Sequence, residues 1–70
     1  MTLNILTKRE KEVFDYLVLN KSTKEIADIL NITEKTVRNH ISNVIGKLGV
    51  SSRTQAILQL IRHNIIKIEK

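Results

Sequence analysis

Cysteine, proline and tryptophan are absent from this chain, glycine occurs twice, and Phe14 and Tyr16 are its only aromatic residues. Without cysteine there is no disulfide, thiolate zinc site, iron–sulfur cluster or thiol nucleophile, which fits a reducing compartment, expected to be the cytoplasm. Two histidines, His40 and His63, cannot close a metal site alone. So few aromatic rings argue against a single-strand nucleic-acid binder, which stacks bases on exposed side chains. The longest apolar run is the four residues Tyr16 to Leu19, and no basic stretch followed by an apolar one stands at the N-terminus. Neither a membrane span nor a signal peptide is expected. A chain of 70 residues buries only about 60% of its unfolded surface, enough for one core but not for a core and a deep substrate pocket. The chain is therefore read as a single domain, 1–70, that is not an enzyme and needs no cofactor.

What is present is charge, and its distribution is uneven. The net charge is +5, which favours an anionic partner. Lys8, Arg9 and Lys11 balance Glu10, Glu12 and Asp15 near the start, whereas residues 21–53 carry six basic side chains against three acidic ones. Double-stranded DNA is the expected partner.

With no proline and only Gly46 and Gly49, the chain has little from which to build hairpins, and its punctuation is that of helices. Thr7 precedes Glu10 by three residues and Ser22 precedes Glu25 likewise, each a capping box that satisfies free amides of a first turn. Thr33 and Ser51 are further N-cap candidates, with Glu34 complementing the dipole of the helix that follows Thr33. Asn20 with Lys21, then Asn31, Gly49 and Asn64, are the stops, because Gly and Asn tolerate the left-handed cap. Four helices follow, over 8–20, 23–30, 34–48 and 52–63. Val13, Phe14 and Leu17, then Ile26, Ala27 and Leu30, then Val37, Ile41, Val44 and Leu48, then Ala56, Ile57, Leu60 and Ile61 recur at helical spacing and mark one buried face per helix. Ile32 and Val50, in the turns, plug the core from its ends.

Residues 23–48 form a short helix, a tight turn and a longer helix, with small Ala27 where two helices approach, which is helix-turn-helix spacing. Asn31 stands where such turns commonly hold glycine. Opposite the apolar stripe of the longer helix lie Lys35, Asn39, Ser42 and Gly46, flanked by Arg38 and Asn43. This face carries no acid, and Arg, Lys, Asn and Ser are side chains that read base edges in a major groove. Gly46 costs about 1 kcal/mol in mid-helix relative to alanine, and either tolerated drift or a close approach accounts for it. His40, at the flank, is expected to make a structural hydrogen bond or a phosphate contact. A polar, solvated helix face and a helical protein-interaction module remain the alternative readings of these residues.

Thr7-Lys8-Arg9-Glu10 with Val13, then Lys24-Glu25-Ile26-Ala27, then Thr36-Val37, His40, Ile41, Lys47-Leu48 and Arg53 with Ala56 resemble the DNA-binding domain of LuxR-type transcription regulators. The resemblance runs from about Leu6 to Ile66, and Lys24 to Leu48 look most like the stand-alone, GerE-like sporulation regulators of that family. It implies an all-α, four-helix LuxR/GerE-type helix-turn-helix domain and a homodimer, with RNA polymerase as a further partner. Base-reading positions then fall on Lys35, Arg38 and Asn39, with Ser42 next along the groove. Phosphate contacts fall on Lys24, Thr36, Lys47, Ser51 and Arg53, where helix N-termini and flanking cations also make physical sense. The fourth helix is the expected dimer contact: once its core positions are assigned, Leu58 remains outside between Gln55, Gln59 and Arg62, followed by Ile65, Ile66 and Ile68. The chain is read either as a complete regulator controlled by its abundance or as the detached output domain of a response regulator.

Overall fold

The structure, a computed structural model, describes residues 5–67. Four helices follow in order: α1 (Lys8–Val18), α2 (Thr23–Leu30), α3 (Glu34–Leu48) and α4 (Arg53–Arg62). Their starts are fixed by side chains. Thr7 Oγ1 accepts from the Glu10 N–H at 3.1 Å while the Thr7 N–H donates to Glu10 Oε1 at 2.9 Å. Ser22 and Glu25 repeat this reciprocal pair at 3.1 and 2.8 Å. Thr33 Oγ1 accepts from the Thr36 N–H at 3.1 Å. The fourth start differs from expectation, since the cap of α4 is Ser52, which accepts from the Gln55 N–H at 3.3 Å. Ser51 lies one residue outside, its N–H and hydroxyl both donating to Gln55 Oε1 at 2.9 Å. The Gln55 side chain reaches back past Ser52, so both serines are used.

All four helices end in one way. Asn20, Asn31, Gly49 and Asn64 have φ of 66°, 58°, 67° and 60°, and after each the next N–H turns back to a carbonyl of the last helical turn. These bonds run from Lys21 to Tyr16 at 3.1 Å, Ile32 to Ala27 at 3.0 Å, Val50 to Ile45 at 3.2 Å and Ile65 to Leu60 at 2.9 Å, the closure of a Schellman motif. Because Asn20 belongs to this closure, α1 ends at Val18 and not at residue 20. The tight reversals let short helices pack at once.

α3 is the hub and packs on α1, α2 and α4, while α1 also meets α4. Val13, Phe14, Leu17, Ile26, Ala27, Val37, Ile41, Val44, Ala56, Leu60 and Ile66 form the buried core. Leu30, Leu48, Ile57, Ile61, Ile32 and Val50 are only partly buried, though packed against it. Ile66 is a correction. Expected on the outer surface beside Leu58, it is 2% exposed, because the Asn64 turn folds the chain back under α4. Ile65 is partly buried against the same core, and Ile68 lies outside the described residues. Among the described residues, the strongly exposed apolar side chain of α4 is Leu58, 59% exposed.

Candidate nucleic-acid interface

Because Val37, Ile41 and Val44 are drawn into the core, the opposite side of α3 must face solvent. Lys35, Arg38, Asn39 and Ser42 are all exposed, as are Asn43 and Gly46, so the expected base-reading residues share one open helix face. A Cβ built on Gly46 meets nothing within 4 Å, so no close packing inside the chain requires glycine there. His40 is half-buried at the flank.

An acid does reach this face. Arg38 Nη1 donates to Glu34 Oε2 at 3.2 Å, and the same oxygen accepts from Thr23 Oγ1 of α2 at 3.0 Å. Reading Glu34 only as a first-turn charge missed both partners. Its four-residue spacing from Arg38 was the available signal for the first.

The expected phosphate-contacting residues are distributed over three helix starts. Lys24 is exposed in the first turn of α2, Thr36 half-buried in the first turn of α3, and Ser51 and Arg53 exposed at the start of α4. The Thr36 hydroxyl shares a 2.9 Å hydrogen bond with Thr33 Oγ1. Lys47 is placed otherwise: its Nζ donates to Glu10 Oε1 at 2.6 Å and to the Ile5 carbonyl at 3.1 Å. Glu10 is 3% exposed, so this ammonium serves a buried carboxylate at the start of α1. Burial pushes the Glu10 carboxyl up, but the bonds from Lys47 and from the Thr7 N–H outweigh it and hold the group below its ordinary value. Glu25, bonded by the Ser22 N–H, is likewise lowered.

Gln55, Leu58, Gln59 and Arg62 line one shallow open groove on α4 together with Val50, so the four expected dimer-contact residues are neighbours in space. Among the described residues no group of three His, Cys, Asp or Glu side chains could hold a metal ion. No helix there is long and apolar enough to cross a membrane.

A short helix and a longer one with an exposed polar face, joined at a left-handed Asn31 and braced by two further helices, define a helix-turn-helix DNA-binding domain. The model of the bacterial regulatory proteins, luxR family, matches residues 4–60, and the chain belongs to that family. It is 64% identical over 58 residues to the spore germination protein GerE of Bacillus subtilis (strain 168), covering 83% of this chain and 78% of that protein. The uncharacterized transcriptional regulatory protein YhcZ of the same organism is 50% identical over 60 residues, 86% of this chain and 28% of that protein. The solved structure of the transcription factor GerE superposes with a TM-score of 0.90 at 58% identity, covering 91% of this chain and 96% of that one. The chain is thus a GerE-like DNA-binding domain of a transcription regulator.

Proposed function

We propose that the chain regulates transcription in the cytoplasm as a homodimer that recognises two half-sites of double-stranded DNA with α3 in the major groove. The observation that carries this reading is the exposed row Lys35, Arg38, Asn39 and Ser42 on a helix whose other side is locked into the core. Lys35 and Arg38 suit guanine O6 and N7, Asn39 suits adenine N6 and N7, and Ser42 suits either. Lys24, Thr36, Ser51 and Arg53 hold the backbone phosphates and set the register without reading sequence. Lys47, whose ammonium is paired with Glu10, is assigned a structural part in this reading, and its phosphate contact is kept as the alternative for test.

The groove of Gln55, Leu58, Gln59 and Arg62 is the proposed contact between two copies. Related by a two-fold axis, such copies set their recognition helices about 34 Å apart, one duplex turn, on an inverted repeat. The contact is small, so pairing is weak until DNA supplies a second attachment. RNA polymerase is the partner through which a bound dimer would act. The test is Leu58→Asp, which keeps the fold and the affinity for an isolated half-site and abolishes cooperative binding to the full inverted repeat. Undiminished cooperativity in that variant would place the dimer contact elsewhere.

A second reading, in which this domain is the output module of a longer response regulator, draws support from YhcZ, of which the chain spans 28%. The DNA contacts are the same in both, and the length of the genomic open reading frame separates them.

A further inference from the structure

We infer that Glu34 is a positioning residue for base selection: anchored on α2 by Thr23, it holds Arg38 in the orientation in which that side chain reads one base pair. The inference rests on the reading of α3 as the groove-reading helix and deepens it. Arg38 and Glu34 lie four residues apart with side chains 58% and 42% exposed. By itself such a pair is worth little and leaves a long side chain free to wander. The Thr23 hydroxyl changes this, because it bonds the same carboxylate oxygen from another helix, eleven residues away in sequence and half-buried. The carboxylate is thus fixed from two elements, and it fixes the guanidinium in turn.

Two consequences follow from the chemistry of the pair. A guanidinium has five N–H donors, and Glu34 takes one of them, so a two-pronged contact to guanine O6 and N7 remains available with the ion pair intact. A guanidinium already matched to a carboxylate also adds little net charge toward phosphate. Arg38 held in this way contributes to binding where a base edge meets its free donors and contributes little on arbitrary sequence. The contact between α2 and α3 therefore sets selectivity as well as packing.

The experiment uses the full chain and a duplex selected by the wild type from a random pool, with single-base-pair variants of that duplex and random duplex alongside. Arg38→Ala first locates the base pair whose preference it abolishes. Glu34→Gln should then keep its helical circular dichroism, lose roughly fivefold or more of the preference at that same base pair, and bind random duplex more tightly with a salt slope steeper by about one. Thr23→Val, which leaves the charge unchanged, should relax the same base pair without altering the salt slope. In the Arg38→Ala background, Glu34→Gln should have no further effect on preference. If Arg38→Ala flattens a preference that both Glu34→Gln and Thr23→Val leave intact, the positioning role is overturned while the base-reading role of Arg38 stands. If Arg38→Ala flattens none, the base-reading role fails and this inference falls with it.

Discussion

Replacing Lys47 by methionine removes an ammonium 2.6 Å from a carboxylate whose own side chain is 4% exposed. Methionine keeps most of the apolar stem, so the change isolates the charge. Removing one member of a buried pair costs about 3–5 kcal/mol. Here the Lys47 side chain is 35% exposed and solvent screens part of the interaction, while Glu10 keeps the Thr7 N–H. About 2 kcal/mol is left, against a total stability of roughly 4–10 kcal/mol for a domain of 70 residues. At roughly 4–8 °C per kcal/mol in a domain of this size, Lys47→Met should melt roughly 8–16 °C below the wild type at neutral pH. Adding Glu10→Gln should restore most of the loss, since glutamine preserves the capping box and leaves no buried charge. The pH dependence has a definite sign. Glu10 is held below its ordinary value in the folded chain, so its contribution is complete above the unfolded pKa of about 4.3 and disappears as pH falls through the folded value. The difference between wild type and Lys47→Met should close over that window. An unshifted melt at neutral pH, joined to a salt slope shallower by about one on DNA, would return Lys47 to the phosphate-contacting role that the family resemblance implies and refute the structural one.

Arg38→Ala and Asn39→Ala should leave the melting temperature nearly unchanged and weaken the selected duplex by about 1–3 kcal/mol each, measured by fluorescence anisotropy; unfolding of either variant would remove it from the reading face. Lys24→Ala and Arg53→Ala should weaken selected and random duplex by similar factors, each flattening the plot of log affinity against log salt by about one counterion. Gly46→Ala should raise stability by about 0.5–1 kcal/mol in a thermal melt, because the new Cβ enters open space.

How much of this could be read beforehand depends on how local each determinant is. The four left-handed residues Asn20, Asn31, Gly49 and Asn64 follow from the chemistry of helix stops, which acts within a few positions. The same holds for Thr7, Ser22 and Thr33 as caps. The α4 cap falls on Ser52, one residue after Ser51, because adjacent serines both suit a cap, although Gln55, three residues after Ser52, marks the one used. The exposed row on α3 is also a local matter, since an apolar stripe dictates what lies opposite it. Lys47 with Glu10 spans 37 positions, and nothing in either neighbourhood distinguishes that lysine from a free cation. Glu34 with Thr23 and the burial of Ile66 are legible only when helices are placed against one another.

Whether α3 reads sequence is decided by an equilibrium titration. Wild-type chain is titrated into a duplex selected from a random pool and into a scrambled duplex of the same composition, at several salt concentrations. Salt-sensitive binding to both is expected, with the selected duplex preferred by roughly a thousandfold. Equal affinity for the two duplexes would contradict sequence reading by α3, and binding to neither would turn the basic domain into a helical module for another kind of partner.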